Sequence, residues 1–254
     1  MKKRKAGIGI FVIVLIITAV RVKSMDSHRI SGRILAENIA GPGMMRLVEQ
    51  SMQVQAQKTS VTEIAVKERK YPQAALTFDD GPDIRYTPLL LDGLKERNVR
   101  ASFFLLGEKV EQYPELVERM QKEGHLVGNH TYHHVQLNKL NETKAREEIL
   151  KTNNLIYETT GVYPLYLRPP FGAWKKNLEL CVEMLPVFWT IDTLDWKVQN
   201  TEKIVRTVQE QIEDGAIILM HDEYDTSVEA ALQVADDLKA QGYQLVTVDQ
   251  LILP

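Results

Sequence analysis

Two adjacent aspartates, Asp79 and Asp80, stand out in the stretch ALTFDDGPD at residues 75–83. Neighbouring carboxylates make each other harder to ionise, and a turn built on Gly-Pro needs at most one of them. A divalent cation at Asp80 would offset that penalty, and Asp79 could then take a proton from a water that the ion has made more acidic. The pair therefore predicts a metal ligand beside a general base, with a charged β-turn as the alternative.

Four of the six histidines fall within the stretch HLVGNHTYHH. His130 and His134 are four residues apart, a spacing that zinc sites use and that places both imidazoles on one side of a helical turn. A catalytic zinc takes three protein ligands, and Asp80 is available as the third. A chance cluster of surface histidines is the alternative. His125 is expected to pack or cap, and His133 to line a groove.

Two later stretches carry charged and aromatic side chains. YLRPPFGAW brings Arg168 out of an apolar run, and a buried charge needs a partner, which either Asp79 or Asp195 could supply. TIDTLDWK places Asp192, Asp195 and Trp196 after another apolar run. A tryptophan beside carboxylates is either a sugar-stacking wall or a cap on the core.

The frame that must position these residues is regular from residue 74 onward, where short apolar runs alternate with amphipathic helical stretches. The predicted strands are 74–78, 101–107, 125–130, 165–169, 187–192, 216–221 and 243–248. The predicted helices include 87–97, 114–123, 142–159, 202–213 and 227–241. This alternation predicts a parallel α/β domain, either a barrel or an open sheet. The carboxyl ends of these strands, where α/β folds build active sites, carry Asp79, Asp80, His130, Arg168, Asp192 and Asp195.

His221 ends the strand predicted from AIILMHD. A histidine is a good general acid when a carboxylate raises its pKa. A lone histidine at a strand end is more often structural, so only its position at the same edge as the other polar residues favours catalysis.

The composition is that of an ordinary folded protein: 254 residues, 44% hydrophobic, 26% charged, with a net charge of −3. This near-neutral balance predicts no nucleic-acid partner. The single cysteine, Cys181, excludes an internal disulfide and is expected to be a buried thiol on a helical face.

The N-terminus predicts export. The basic stretch MKKRK precedes an apolar run at residues 6–20, which is typical of a signal anchor or a secretory signal. No small-residue cleavage site follows, so residues 1–21 are predicted to be an uncleaved transmembrane anchor, with a cleaved signal as the alternative. Residues 22–70 then form a stalk, and residues 71–254 an extracellular catalytic domain.

Five ordered motifs, TFDDGP, HTYHH, RPPFG, DTLDW and LMH, resemble those of the polysaccharide deacetylases, carbohydrate esterase family four with the NodB-homology domain. The resemblance covers roughly residues 70–254. It implies a distorted (β/α) barrel of seven strands and metal-dependent removal of acetyl groups from N-acetylated sugar polymers. The implied cofactor is one divalent ion, Zn²⁺ first, with Co²⁺ or Mn²⁺ as alternatives.

The resemblance also implies a role for each motif residue. Asp79 is the catalytic base and is held by Arg168, while His221 is the acid, tuned by Asp195 through Arg168. The implied metal ligands are Asp80, His130 and His134. The implied substrate contacts are the oxyanion-hole N–H of Phe171, the groove wall Trp196 and the acetate-pocket residue Leu219. The family usually has tyrosine where this chain has Phe171.

For an enzyme attached outside the membrane, the nearest N-acetylated polymer is the cell wall. The expected substrate is therefore peptidoglycan, with N-acetylglucosamine preferred to N-acetylmuramic acid, and with chitin oligomers or an exopolysaccharide as runners-up. Two other classes stay open from the sequence. One is a glycoside hydrolase that uses Asp79 and Asp195 as its carboxylate pair. The other is a non-catalytic wall-binding module.

Overall fold

The computed structural model describes residues 70–174 and 184–252, in which short strands alternate with helices. The strands are β1 (Gln73–Asp79), β2 (Ser102–Leu105), β3 (Leu126–Asn129), β4 (Tyr166–Leu167), β5 (Leu185–Pro186), β6 (Ile191–Asp192), β7 (Ala216–His221) and β8 (Gln244–Leu245). The α-helices are α1 (Tyr86–Glu96), α2 (Gly107–Gln112), α3 (Pro114–Lys122), α4 (Glu142–Thr160), α5 (Asp195–Val198), α6 (Thr201–Gln211), α7 (Asp225–Ala240) and α8 (Val248–Ile252). The predicted alternation of strands and helices is confirmed.

The strands form one parallel sheet in the order β5-β4-β3-β2-β1-β7-β6, with β8 added beside the start of β1. β1 lies centrally and is buried from Ala74 to Asp79, as expected of a parallel strand covered on both faces. Its register pairs Asp79 with Phe104 on one side and with His221 on the other. The carboxyl ends of β1 and β7 therefore finish side by side.

Helix α7 shows how the outer layer packs on this sheet. Its apolar residues recur at helical spacing, and Val228, Ala231, Ala235 and Leu238 are all at most 5% exposed. The amphipathic helix predicted at residues 227–241 is confirmed. Because these residues belong to the same buried cluster as Leu76 of β1, the helix and the sheet contribute to one apolar core.

The predicted strand 187–192 is wrong, because only its last two residues belong to a strand, β6, and β5 ends just before it at Pro186. β5 pairs with β4 at one end of the sheet, whereas β6 pairs with β7 at the other end. The chain between them needs only the five steps from residue 186 to residue 191, a reach of at most about 18 Å. The sheet must therefore curve until its two ends approach each other, which makes it a parallel-strand half-barrel, with eight strands among the described residues where the resemblance implied seven.

Several predictions from the sequence fall on residues outside those described. They are the anchor at 1–21, the stalk at 22–70 apart from its last residue, and the burial of Cys181. Among residues 70–174 and 184–252, no helix combines the length and the apolar character that crossing a membrane requires.

Candidate active site

Three side chains from different parts of the chain converge above the carboxyl ends of β1 and β3. The Asp80 Oδ1 atom lies 3.4 Å from His130 Nε2 and 3.5 Å from His134 Nε2. All three ligand-type atoms lie within 4.8 Å of one another. The structure thus brings together the three residues that the sequence selected as metal ligands.

The two histidines do not share a helical turn, so that part of the prediction is wrong. Residues 130–136 form an irregular segment, in which Thr131 has a φ of 67° and His134 a φ of 54°. Within it, the Asn129 side chain accepts the Thr131 N–H at 2.7 Å and donates to Asn153 Oδ1 on α4 at 2.7 Å. The loop nevertheless bends enough to bring the centroids of the two imidazole rings within 5.0 Å of each other.

The donor set fits a divalent cation of the zinc type. A tetrahedral site with ligands about 2.0–2.1 Å from its ion places ligand atoms about 3.4 Å apart, close to the spacings seen here. Asp80 Oδ1 is buried and has no hydrogen-bond partner among the described residues. Buried acceptors are normally paired, so this oxygen is suited to bind a cation. One carboxylate with two imidazoles is also an established zinc ligand set.

His130 is held in the form that a metal ligand needs. Burial lowers its pKa to about 3, so the ring is neutral, and Nδ1 lies 2.7 Å from the Arg168 carbonyl oxygen. A carbonyl can only accept, so Nδ1 carries the proton and donates it. The free electron pair is therefore on Nε2, which faces Asp80.

Asp79 and Arg168 form a buried ion pair beside this cluster. Arg168 is fully buried, and its Nη1 donates to Asp79 Oδ1 at 2.8 Å and to Thr77 Oγ1 at 2.7 Å. The other carboxylate oxygen, Oδ2, lies 3.7 Å from His130 Nε2 and so faces the cluster. Burial raises the pKa of Asp79, and the nearby charges of Arg168 and His221 only partly oppose this. The pair places a proton acceptor next to the ligand set.

His221 and Asp195 form a second pair at the same site. Asp195 Oδ1 lies 2.8 Å from His221 Nδ1, and Oδ2 accepts the His221 backbone N–H at 2.8 Å. Burial lowers the pKa of His221, but the hydrogen bond and charge of Asp195 outweigh it and raise the pKa to about 9. The free Nε2 lies 3.9 Å from Asp80 Oδ2, so a protonated imidazole faces the ligand cluster.

The implied coupling of Asp195 to His221 through Arg168 is not the observed one. Asp195 contacts His221 directly, whereas Arg168 forms an ion pair with Asp79. The reason is topological: α5 begins at Asp195 and packs on β7, the strand that ends in His221. Of the two partners open to Arg168 from the sequence, the structure selects Asp79.

The residues expected to contact substrate lie around the same edge. Phe171 is 66% exposed with a φ of 61°, and its ring centroid is 4.6 Å from that of His134. Trp196 is half-exposed at the start of α5, and Leu219 is buried in β7. Asp192 instead stabilises its own loop by accepting the Leu194 N–H at 3.0 Å.

The two remaining histidines of the cluster do not face the ligand set. His125 is buried and its Nδ1 accepts the Ala101 N–H at 3.0 Å, which confirms the expected packing role. Burial lowers its pKa to about 4, in keeping with a neutral acceptor. His133 is exposed and its Nδ1 lies 2.8 Å from Glu148 Oε1 on α4.

Reasoning from the sequence missed two buried polar residues that support the site. Thr77 accepts the bond from Arg168 and donates to the Ile218 carbonyl oxygen at 2.7 Å; a polar residue inside the apolar run ALTF was its signal. Asp222 accepts from Thr87 and lies against Gly81, where an added Cβ would be 2.5 Å from Asp222 Oδ1. Nothing in the sequence indicates that Asp222 is buried.

The fold and the ligand set define an α/β half-barrel protein with a carboxylate–imidazole metal-type site at the carboxyl edge of its sheet. The chain matches the family model described as polysaccharide deacetylase over residues 67–188. It is also 40% identical over 186 residues to a peptidoglycan-N-acetylglucosamine deacetylase of Bacillus cereus, a match that covers 70% of this chain and 68% of that protein. The chain therefore belongs to the polysaccharide deacetylase family.

Two further relatives agree with this assignment. The peptidoglycan-N-acetylglucosamine deacetylase PgdA of Listeria monocytogenes is 42% identical over 185 residues, which cover 73% of this chain but only 40% of that protein. The solved structure of the peptidoglycan deacetylase PdaC from Bacillus subtilis superposes with a TM-score of 0.70 at 43% identity, covering 72% of this chain and 91% of that chain.

Proposed function

We propose that this chain is a metal-dependent N-deacetylase of cell-wall peptidoglycan. The observation that carries the proposal is that three groups lie together: the ligand set around Asp80, the carboxylate of Asp79 and the imidazolium of His221. Asp79 Oδ2 and His221 Nε2 both face that ligand set, at 3.7 Å from His130 Nε2 and 3.9 Å from Asp80 Oδ2 respectively. An acid and a base beside a cation are the groups that amide hydrolysis requires.

Each half of the reaction has a residue to perform it. When bound, the cation supplies Lewis-acid polarisation of the acetyl carbonyl and a lower pKa for the attacking water. Asp79 accepts the proton of that water at Oδ2, while Arg168 holds Oδ1. A new C–O bond forms, the amide C–N bond breaks, and His221 protonates the departing amine. The products are acetate and a free amino sugar.

The remaining site residues orient the substrate in this proposal. The backbone N–H of Phe171 donates to the oxyanion that develops on the carbonyl oxygen, a contribution of about 3 kcal/mol in enzymes where one such donor has been removed. The Phe171 ring contacts the ring of His134, which places this residue beside the ligand set. Trp196 forms the wall of the sugar groove, and Leu219 lines the pocket for the acetyl methyl group.

Peptidoglycan is the proposed polymer because the similar proteins from Bacillus and Listeria carry that substrate in their names. N-acetylglucosamine is proposed ahead of N-acetylmuramic acid, although a Bacillus subtilis relative, 44% identical over 177 residues, is named for the latter.

The glycoside hydrolase alternative loses support, because Asp195 is fully buried and both of its oxygens bond to His221. A carboxylate in that position cannot flank a glycosidic bond.

Acetate release tests this function directly. Purified wall sacculi, chitin oligomers and acetylxylan are incubated with the protein as isolated, after chelation, and after Zn²⁺ is restored. We expect acetate from sacculi, its loss on chelation and its recovery with Zn²⁺, with Co²⁺ and Mn²⁺ run in parallel to rank the metals. Release from acetylxylan alone would contradict an amide substrate, and release that survives chelation would contradict the metal.

The pH profile of Asp195→Asn tests the acid. His221 works as an acid only when protonated, so activity is present below its pKa and is lost as the pH rises through it. Because Asp195 raises that pKa towards 9, its neutral replacement should move the alkaline limb of kcat to lower pH, towards the ordinary imidazole value near 6.5. Asp192→Asn in the same segment is the matched control and should leave the limb in place. An alkaline limb shared by all three proteins would remove His221 from the role of acid.

The proposal extends to the N-terminal part of the chain. Residues 1–21 serve as a single-pass membrane anchor and residues 22–70 as a stalk, which hold residues 71–254 outside the cell as a distorted barrel facing the wall. The basic stretch ahead of the apolar run supports this orientation, because positive residues favour the cytoplasmic side. Secretion after cleavage of the signal is the alternative.

A further inference from the structure

A glutamate on helix α4 forms hydrogen bonds to the loop at residues 130–136, which contains His130 and His134. Glu148 Oε2 accepts the backbone N–H of Tyr132 at 3.0 Å and that of His133 at 2.9 Å. Its other oxygen, Oε1, lies 2.8 Å from His133 Nδ1. The Glu148 side chain is only 16% exposed, so these contacts are largely shielded from water.

The loop needs such a partner because its backbone is in an unfavourable conformation. Thr131 and His134 both lie in the left-handed region, with φ of 67° and 54°, although neither is glycine. A β-branched residue is especially rare there. Conformations of this kind persist only where surrounding contacts fix them, and they cluster at ligand sites.

The other contacts to the loop backbone involve different groups: the Tyr132 carbonyl oxygen accepts the Glu108 N–H at 3.3 Å, and the Val135 N–H donates to Thr131 Oγ1 at 3.2 Å. Asn129 accepts the Thr131 N–H at 2.7 Å, and the carbonyl oxygen of Thr131 accepts the N–H of Gly107 at 3.0 Å. Glu148 is the side chain that holds the backbone N–H groups of residues 132 and 133, directly before His134. Because His134 is 31% exposed in its side chain, its position depends on the backbone more than that of the buried His130.

We propose that Glu148 is a positioning residue for the metal site, which sets the place and direction of His134 through the backbone of Tyr132 and His133. This inference rests on the proposed metal-dependent function. It assigns to α4 a part in metal affinity, although no residue of that helix touches the ligand atoms. Partners of metal ligands outside the coordination sphere typically change affinity by about 10–100-fold when they are removed.

The test compares metal affinity in Glu148→Ala, Glu148→Gln and Glu147→Ala, by competition with a chromophoric chelator and by the visible spectrum of the Co²⁺ form. Glu147 is exposed on the same helix and serves as the matched control. We expect Glu148→Ala to bind Zn²⁺ about 10–100-fold more weakly and to change the Co²⁺ spectrum. Glu148→Gln keeps a carbonyl acceptor for the two N–H groups and should recover most of the affinity. Circular dichroism of each variant checks that it is folded.

Two results would overturn the inference while leaving the proposed function intact. One is a folded Glu148→Ala variant with the affinity and Co²⁺ spectrum of Glu147→Ala. The other is a Glu148→Gln variant as weak as Glu148→Ala, since the backbone acceptor would then not be the cause. Failure of the proposed function is distinguishable, because the unaltered protein itself would then bind no stoichiometric Zn²⁺.

Discussion

Asp79→Asn should release acetate about 10²–10⁴-fold more slowly than the unaltered protein while still binding one divalent ion, since that is the range a general base typically contributes. The amide cannot accept a proton from water, yet its oxygen can still accept the Arg168 hydrogen bond at Oδ1. None of the three ligand-type side chains is altered. Loss of turnover without loss of the ion is therefore the expected signature.

Stability must be measured alongside turnover, because the variant leaves Arg168 buried without its ionic partner. Disrupting a buried ion pair by removing one partner costs about 3–5 kcal/mol, and the retained amide hydrogen bond should keep the cost at or below the low end. Acetate release, metal content and denaturant unfolding are measured on the same preparation. Asp83→Asn is the control on the same turn, since asparagine can still accept the Arg85 and Tyr86 N–H groups. Turnover within a few fold of the unaltered protein would show that Asp79 is not the base.

Asp80→Asn, one residue further on, should have the opposite metal phenotype. Asp80 supplies the only carboxylate of the ligand-type cluster, and its Oδ1 lies within 3.5 Å of both imidazole Nε2 atoms. A neutral amide oxygen is a much weaker ligand for a divalent cation than a carboxylate. We expect the ion to be lost at concentrations that saturate the unaltered protein, and acetate release to fall to the level of the chelated protein.

Asparagine is the informative replacement because of the backbone at this position. Asp80 has a φ of 70°, and asparagine is one of the few residues that tolerates the left-handed region. The substitution therefore removes the charge while leaving the turn in place. Zn²⁺ content after dialysis and Zn²⁺-dependent acetate release are the two measurements. Retention of a full equivalent of Zn²⁺ by Asp80→Asn would mean that the ion binds elsewhere.

The two variants form a matched pair. The same chemical change at neighbouring positions should abolish turnover in both, but remove the ion only from Asp80→Asn. A single charged β-turn, which was the alternative explanation of the sequence DDGP, predicts no such difference. The pair thus separates a site with two distinct carboxylate roles from a merely acidic turn.

Local sequence patterns were enough to find the strands that carry the site. β1 and β7 are continuous apolar runs that end in ionisable residues, because a central parallel strand is buried on both faces and its carboxyl end opens onto the site. The stretches TFDDGP and HTYHH were likewise sufficient for the choice of Asp80, His130 and His134, since their residue types are those of a zinc ligand set.

Contacts between distant segments were not accessible in the same way. The spacing of His130 and His134 predicted a helical turn, whereas Glu148 and Asn129 hold a loop with two left-handed residues. The run VFWTID was predicted to be one strand. Instead the chain passes there from β5, which pairs with β4, to β6, which pairs with β7 at the other end of the sheet. Both errors arise because residue spacing and apolar runs report local geometry and burial, and carry no information on contacts with distant segments.

The amino-acid sequence by itself determined the parallel α/β class, the edge of the sheet that carries the candidate site, and the candidates for the acid, the base and the metal ligands. These follow from residue type and from the alternation of strands with helices. Only the tertiary structure decided which charge neutralises which. Arg168 pairs with Asp79, and Asp195 with His221, because strand register and the start of α5 bring those groups within hydrogen-bonding distance. Partner choice among buried charges depends on ångström-scale separation, which residues far apart in the chain acquire only on folding.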